Sequence, residues 1–306
     1  MFKTQLQSGL SLGIIGQPLT HSLSPLLHAQ IMQAMGINGV YQKYEVPAEE
    51  LPNVVHRLGL KGLRGLNVTI PHKVRVMAEM DWLSPEAELA GAVNTIVFES
   101  RDSASGTVQK KGYNTDIAGF IRSLPNHVVE RLPESEVLML GAGGAARAVL
   151  TALIQLQVGS VTIAVRDPEK AVSLVSDAEI MKQTYRQNME IRLVSLLSLP
   201  SLESFGGVIN TTPLGMWPDL NFSPIDSTQL ETLPAGALVY DLIYRPAETL
   251  LLKDAQRLGL HSVNGLDMLI YQGICAFELW QEKPFPESLL PVLRKQLFQA
   301  MGSTSA

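Results

Sequence analysis

Short apolar runs alternate with longer mixed stretches through the first 113 residues of the chain. An apolar run of about four to eight residues that ends in glycine, proline or polar residues is typical of a buried strand. A helix is predicted to begin at Ser24-Pro25, with serine as the N-cap and proline at the first helical position. Alternation of this kind predicts an α/β fold with a mostly parallel sheet. The strands are predicted over 10–15, 41–46, 63–70 and 92–98, followed by a hairpin with a polar tip over 99–111.

The same alternation starts again near residue 117. A linking helix is predicted over 117–123, and a short apolar strand leads into the sequence GAGGAARA at 141–148. The two halves share no motif, so we expect two different α/β domains rather than a repeat. Later strands are predicted over 161–165, 207–209 and 238–240, with helices between them and a helical tail.

Composition narrows the class of protein. At about 150 residues per domain, the 306 residues suggest two domains. The formal net charge of −5 argues against broad nucleic-acid binding, which needs clustered lysine and arginine. The single cysteine, Cys275, excludes an intramolecular disulfide. No secretory signal, membrane-spanning run or metal-ligand spacing is evident, so we expect a cytoplasmic protein that binds no metal and no membrane.

The glycine-rich turn carries the first chemical signal. Gly141, Gly143 and Ala146 fit the pattern G-x-G-x-x-A between a predicted strand and a predicted helix, which is the context of a dinucleotide-binding turn. In such a turn a phosphate sits on the helix N-terminus. The next strand ends at Arg166-Asp167. An arginine there suits the 2′-phosphate of NADP, whereas an acid suits the ribose of NAD, so the two signals conflict.

Polar residues are concentrated at the predicted strand ends of the first half. Ligands of open α/β sheets bind at the carboxyl ends of strands, so these residues suit a polyhydroxylated ligand. Each residue taken alone is equally typical of turns and caps. The residues are Asn67, Thr69 and Lys73 in NVTIPHK, Asn94, and Asn114-Thr115-Asp116. Ser22 and Ser24 in HSLSP lie instead near the predicted helix start, where their two hydroxyls can converge on one anion such as a carboxylate.

The motifs together resemble one family. Eight short motifs, given at the end of this paragraph in chain order, make the chain resemble shikimate dehydrogenase from about Gly13 to about Phe277. The resemblance implies a substrate-binding domain over 1–116, joined by C-terminal helices from about 268 to 306, and a Rossmann NADP-binding domain over 117–267. It also implies NADPH-dependent reduction of 3-dehydroshikimate to shikimate in the shikimate pathway of aromatic amino-acid biosynthesis. The motifs are HSLSP, NVTIPHK, AVNT, YNTD, GAGGAARA, NTTPLGM, DLIYRPAET and NGLDMLIYQG.

The resemblance also implies a role for each matching residue. Ser22 and Ser24 look like the serines that bind the substrate carboxylate, and Lys73 and Asp116 look like the catalytic pair. The other implied substrate contacts are Asn67, Thr69, Asn94, Tyr244 and Gln272. The implied cofactor site comprises Gly141, Gly143, Gly144, Ala145, Arg166, Asp167, Thr211, Gly265 and Met268.

One departure from the family pattern leaves the cofactor open. Asp167 stands where the family usually has threonine, which makes use of NAD an alternative to NADP. Three other functions remain open: a quinate/shikimate dehydrogenase that uses NAD, a non-catalytic sensor of nucleotides or metabolites, and a folate-linked dehydrogenase. The sequence also leaves open whether the protein is a monomer or a homodimer.

Overall fold

The chain folds into two α/β units, each built on a six-stranded sheet. The computed structural model describes residues 9–102 and 107–302. The first unit comprises the chain up to Thr115 and Gln272–Gln299, and the second unit comprises Asp116–Tyr271 and the chain from Ala300. No helix in these described ranges is long and apolar enough to cross a membrane.

The helices and strands follow the chain in this order. The first stretch contains β1 (Leu10–Gly16), α1 (Ser24–Ala34), β2 (Gly39–Glu45), α2 (Leu51–Leu60), β3 (Gly65–Val68), β4 (Trp82–Leu83), α3 (Pro85–Ala90), β5 (Thr95–Asp102) and β6 (Thr107–Tyr113). The second contains α4 (Thr115–Ser123), α5 (Asn126–Val129), β7 (Glu136–Leu140), α6 (Gly144–Gln155), β8 (Ser160–Val165), α7 (Val172–Tyr185), β9 (Glu190–Ser195), β10 (Phe205–Asn210), α8 (Ser227–Leu230), β11 (Leu238–Asp241), α9 (Leu250–Arg257) and β12 (His261–Asn264). The chain continues with α10 (Leu266–Gln281) and α11 (Leu290–Gly302).

The first sheet has the strand order β2-β1-β3-β5-β6-β4. β1 pairs in parallel with β2 and β3, β4 pairs in parallel with β6, and β5 runs antiparallel to both of its neighbours. The sheet is therefore mostly parallel, as predicted. β5 and β6 form the predicted hairpin, but the predicted tip over 99–111 is too long, because β5 continues to Asp102 and β6 begins at Thr107; residues 103–106 lie outside the described residues.

The second sheet is wholly parallel in its described pairings, with the order β12-β11-β10-β7-β8-β9. Four of the five residues of β7 are buried, as expected for a strand covered on both faces. The strand order reverses between β7 and β10, which is the arrangement of a doubly wound nucleotide-binding fold. The crevice outside the carboxyl ends of these two strands is where such folds bind their ligands. The predicted Rossmann-like architecture is therefore confirmed.

The start of α1 differs from the prediction. Leu23 occupies the N-cap position and Ser24 is the first helical residue, with no side-chain hydrogen bond at the cap. The backbone N–H of Ser24 donates to the hydroxyl oxygen of Ser22 at 3.3 Å. The predicted N-cap role of Ser24 is therefore wrong, because the nearby serine satisfies this N–H and moves the helix start by one residue.

Strand β3 and helix α10 approach each other closely at Gly65. A methyl group added at Gly65 would overlap the indole of Trp280 on α10. The Trp280 Nε1–H donates to the carbonyl of Ile96 at 2.9 Å, so the indole cannot move aside without losing this bond. Arg64 donates its Nε–H to the Trp280 carbonyl at 2.8 Å. Glycine on β3 therefore allows α10 to pack directly against the sheet.

We predict that Gly65→Ala shifts the urea unfolding transition to lower urea, equivalent to a loss of about 1–3 kcal/mol, because overpacking displaces the indole. In a Trp280→Leu background the same methyl group should cost much less, since the overlapping ring is absent. An equal loss in both backgrounds would show that the contact with Trp280 is not the cause.

Candidate functional site

Asn94 is the centre of a buried hydrogen-bond network in the first unit. Its Oδ1 accepts the backbone N–H of Thr115 at 2.7 Å and the hydroxyl of Thr95 at 3.1 Å. Its Nδ2 donates to the hydroxyl oxygen of Thr115 at 3.0 Å and to Oε1 of Gln272 at 3.4 Å. All four side chains are less than a tenth exposed. The loop before β5, the start of α4 and helix α10 therefore meet at one amide group.

Asn67 on β3 joins this network. Its Nδ2 lies 3.4 Å from the carbonyl oxygen of Asn94 and 3.3 Å from the hydroxyl of Thr95. Its Oδ1 accepts the hydroxyl of Tyr41 at 2.7 Å and lies 3.0 Å from Nε2 of His28. The structure thus brings together three residues that the sequence nominated, Asn67, Asn94 and Gln272. Thr115 was named among the polar candidates in Asn114-Thr115-Asp116, whereas His28, Tyr41 and Thr95 were not nominated from the sequence.

The loop after β3 carries Thr69 and Lys73, which are both partly buried. The carbonyl of Lys73 accepts the N–H of Val93 at 2.7 Å, which holds its backbone beside the loop that bears Asn94. The imidazole of His72 is completely buried and lies 2.6 Å from the carbonyl oxygen of Val46. The carbonyl can only accept, so Nε2 of His72 carries a proton and ties the loop to the end of β2.

Ser22 and Ser24 lie at the start of α1. Ser22 is partly buried, and Ser24 is buried with 6% of its surface exposed. The two residues are linked to each other through the bond from the Ser24 N–H to the Ser22 hydroxyl. Within the described residues, neither hydroxyl is hydrogen-bonded to Asn67 or Asn94.

Asp116 belongs to the second unit and lies in the first turn of α4. Its side chain is buried, with 5% of its surface exposed. The preceding residue, Thr115, is the one that holds Asn94 through both its backbone N–H and its hydroxyl. An acidic side chain in the first turn of a helix interacts favourably with the helix dipole.

The glycine-rich turn connects β7 to α6. Gly141 has φ of 106°, a conformation that L side chains rarely adopt, and a methyl group there would lie 2.7 Å from the hydroxyl oxygen of Thr211. Gly143 is the N-cap of α6, and a methyl group there would meet nothing within 4 Å. No side chain caps this helix. Gly144 and Ala145 form its first turn, so their backbone N–H groups are available to an anion.

Arg166 and Asp167 follow β8, next to the glycine-rich turn. The N–H of Gly141 donates to the carbonyl of Ala164 at 2.9 Å, which ties the two strand ends together. Arg166 is exposed. The carboxylate of Asp167 lies 3.0 Å from Nζ of Lys170, and this bond lowers the pKa of Asp167. The negative charge of Asp167 is therefore paired with the ammonium group of Lys170.

Tyr244, Gly265 and Met268 lie on the segments after β11 and β12. The N–H of Gly265 donates to the carbonyl of Ile243 at 3.1 Å, and a methyl group at Gly265 would overlap the carbonyl of Leu242. Glycine is therefore required for these two segments to pass so closely. Tyr244 is partly buried, and Met268 is buried in the first turns of α10.

The carboxylate of Asp241 organises this end of the second sheet and was not predicted. It is completely buried and accepts hydrogen bonds from Nδ2 of Asn210 at 3.0 Å, the N–H of Ile243 at 3.0 Å and the hydroxyl of Thr249 at 2.7 Å. Burial raises the pKa of Asp241 to about 6, and the three hydrogen bonds oppose this rise. Asn210 in turn accepts the N–H of Thr212 at 2.9 Å. The loops after β10 and β11 are therefore fixed by one buried acid.

A cavity of about 210 Å³ lies elsewhere in the second unit. Its lining includes Val137, Gly207 and Leu238, which lie at the amino ends of β7, β10 and β11. The glycine-rich turn lies at the carboxyl end of β7, so this cavity is at the opposite edge of the sheet. None of the residues nominated from the sequence lines it.

Three family models match the chain. The shikimate dehydrogenase substrate binding domain matches residues 14–96. Shikimate / quinate 5-dehydrogenase matches residues 123–195, and the shikimate 5′-dehydrogenase C-terminal domain matches residues 265–289. The matches fall in both α/β units.

Proteins of known identity are similar over almost the whole chain. A shikimate dehydrogenase (NADP(+)) of Symbiobacterium thermophilum is 42% identical over 272 residues, which is 89% of this chain and 89% of that protein. One of Caldanaerobacter subterraneus subsp. tengcongensis is 40% identical over 281 residues, which is 91% of this chain and 94% of that protein.

Solved structures are similar over the same extent. The structure of shikimate 5-dehydrogenase from Thermus thermophilus in complex with NADP(H) and shikimate has a TM-score of 0.77 and 32% identity, and covers 94% of this chain and 99% of its own. The structure of shikimate 5-dehydrogenase from Listeria monocytogenes in complex with shikimate and NAD has a TM-score of 0.79 and 28% identity. The match covers 97% of this chain and 99% of that chain. The chain belongs to the shikimate dehydrogenase family.

Proposed function

We propose that the protein reduces 3-dehydroshikimate to shikimate with NADPH. The observation that carries this proposal is the similarity of 40–42% identity, along nearly the full chain, to shikimate dehydrogenases that use NADP(+). The buried amide network of the first unit and the glycine-rich turn of the second support the proposal. The reductive direction is the biosynthetic one and belongs to the shikimate pathway.

The first unit is proposed to bind the substrate. Shikimate is a ring that carries a carboxylate and several hydroxyl groups, so its site must offer many short polar side chains. We assign the carboxylate to the hydroxyls of Ser22 and Ser24, which lie together at the start of α1. The ring hydroxyls of the substrate are assigned to a second group of polar side chains. These are Asn67, Thr69, Asn94, Gln272 and Tyr244. The shared network of three of these residues supports the assignment.

The second unit is proposed to bind NADP, which supplies the hydride. Its pyrophosphate fits the turn at Gly141 and Gly143, because the open space beside Gly143 and the uncapped start of α6 leave backbone N–H groups for an anion. The 2′-phosphate is assigned to Arg166, which is exposed at the end of β8. Thr211, Gly265 and Met268 are assigned to the nicotinamide side.

Lys73 is proposed to supply the proton. As hydride adds to the carbonyl carbon, negative charge develops on the carbonyl oxygen, and a nearby cation stabilises it. A lysine is charged at neutral pH and can pass one ammonium proton to that oxygen, which completes the alcohol. Asp116 is proposed as the acid of the catalytic pair.

A quinate/shikimate dehydrogenase that uses NAD is the second candidate. Asp167 supports it, because an acid after this strand suits the ribose hydroxyls of NAD. The bond from Asp167 to Lys170 argues the other way, since the ammonium group of Lys170 already pairs with this carboxylate. We therefore favour NADP. A cytoplasmic location stays a prediction, and so does the choice between monomer and homodimer.

The function is tested by following nicotinamide reduction in purified protein with shikimate and either NADP or NAD at matched concentrations. We expect a high rate with NADP and a low rate with NAD. Comparable or higher rates with NAD, together with activity on quinate, would favour the second candidate. Tight shikimate binding with no reduction of either coenzyme would favour a sensor and contradict both candidates.

We predict that Lys73→Ala lowers kcat on the order of 10²–10⁴-fold with little change in KM for shikimate, because the lost interaction forms mainly in the transition state. Steady-state kinetics measure both constants, and thermal unfolding confirms that the variant is folded. Lys61→Ala, which removes an exposed lysine of the same unit, is the matched control. A large rise in KM with normal kcat would assign Lys73 to binding instead.

We predict that Arg166→Gln raises KM for NADP roughly tenfold and leaves KM for NAD nearly unchanged, because only NADP has the phosphate that pairs with the guanidinium. Asp167→Asn should leave the preference for NADP intact or increase it. Arg257→Gln is the control for a lost exposed arginine of the second unit. Equal effects of Arg166→Gln on both coenzymes would rule out the phosphate contact.

A further inference from the structure

His28 is a buried histidine beneath the proposed substrate site. It lies on α1 with no exposed surface. Its ring stacks on that of Tyr41, with centroids 4.5 Å apart and planes 12° from parallel. The ring of Trp280 lies on another side at 5.1 Å. The only side chain that bonds to the imidazole among the described residues is Asn67, at 3.0 Å from Nε2.

The surroundings determine which way the Asn67 amide points. The carbonyl oxygen of Asn94 lies 3.4 Å from the Asn67 amide. A carbonyl can only accept, so the group that faces it must be the NH₂ of Asn67 and not its oxygen. The amide oxygen of Asn67 therefore faces His28 and Tyr41.

This orientation fixes the protonation of His28. An amide oxygen only accepts, so Nε2 of His28 must carry a proton and donate it to Asn67. Nδ1 of His28 is then an unprotonated nitrogen, and it is buried without a hydrogen-bond partner. A proton added there would have no acceptor. Burial accordingly lowers the pKa of His28 to about 3, although the bond to Asn67 opposes this shift.

Both lone pairs of the Asn67 oxygen are thus occupied inside the protein, by Tyr41 at 2.7 Å and by His28 at 3.0 Å. The bonds made by the Asn67 NH₂ are longer, at 3.3 Å and 3.4 Å. Long bonds are weaker, so a better-placed acceptor can compete for this NH₂. Asn67 can therefore donate to a ligand but cannot accept from one.

We propose that His28 is a positioning residue that, with Tyr41, locks the Asn67 amide so that it presents a donor to an oxygen of the substrate. The inference rests on the proposed function. It adds that Asn67 acts as the hydrogen-bond donor in its contact with the substrate. At this point the site selects a ligand with an acceptor, such as a ring hydroxyl oxygen. The histidine itself makes no contact with the ligand.

The test compares His28→Leu with His28→Gln. Both variants lose the ring that stacks on Tyr41, and they have similar volumes, but only glutamine can donate an N–H to Asn67. We expect His28→Leu to raise KM for shikimate roughly tenfold, the cost of one displaced polar contact, with little change in kcat or in KM for NADP. His28→Gln should recover most of the affinity for shikimate.

The same comparison in an Asn67→Ala background shows whether His28 changes KM for shikimate through Asn67. If His28 acts through Asn67, the difference between the leucine and glutamine variants disappears when the amide is absent. A difference of the same size in both backgrounds would overturn the proposal, as would equal KM values for the two variants in the presence of Asn67.

A spectroscopic measurement is independent of activity. In protein labelled with ¹⁵N-histidine, the resonances lost in His28→Gln identify the ring of His28. We expect a neutral ring at pH 7 with the proton on Nε2, and a proton on Nδ1 would overturn the proposal. Wild-type protein that does not oxidise shikimate would refute the proposed function, whereas active wild type with indistinguishable variants would refute only the role of His28.

Discussion

A buried polar group must be hydrogen-bonded, and the first unit depends on how this constraint is met around Asn94. Its amide joins the loop before β5, the first residue of α4 and the helix α10, which come from distant parts of the chain. Removing the Asn94 amide would leave the buried N–H of Thr115 without its acceptor, and an unpaired buried donor costs about 1–3 kcal/mol. Three polar residues of the proposed substrate site, Asn67, Asn94 and Gln272, are therefore ordered by the fold before a ligand binds. Such preorganisation lowers the entropic cost of ordering side chains when a ligand binds.

In the second unit, buried polar groups are hydrogen-bonded mainly through the backbone and through one buried acid, Asp241. Close contacts at Gly141 and Gly265 allow neighbouring segments to approach where a side chain would collide. The buried carboxylate of Asp241 fixes the loops after β10 and β11 through three hydrogen bonds. Together these features place a glycine-rich turn, an uncapped helix start and an exposed arginine around the carboxyl ends of parallel strands. This arrangement suits a nucleotide that carries phosphate groups.

Much of the fold follows from the sequence, because buried parallel strands have continuous apolar runs. Strands β9 and β12 escaped the pattern because none of their residues is buried and neither has a continuous apolar run. Motif positions identified Asn67, Asn94 and Gln272, but not the residues that orient them. His28 and Tyr41 are 39 and 26 residues from Asn67 in the chain, so only the folded structure brings them to its amide. The helix start at Ser24 was missed because serines at 22 and 24 offer competing local bonds.

The central claim is that this chain transfers a hydride directly between shikimate and a nicotinamide coenzyme. It is tested by giving the enzyme NADP and shikimate labelled with deuterium on the carbon whose hydroxyl is oxidised, and then weighing the reduced coenzyme by mass spectrometry. The account predicts that the deuterium appears in NADPH. Reduced coenzyme without deuterium, or deuterium released to water, would contradict direct transfer and with it the roles assigned to both units.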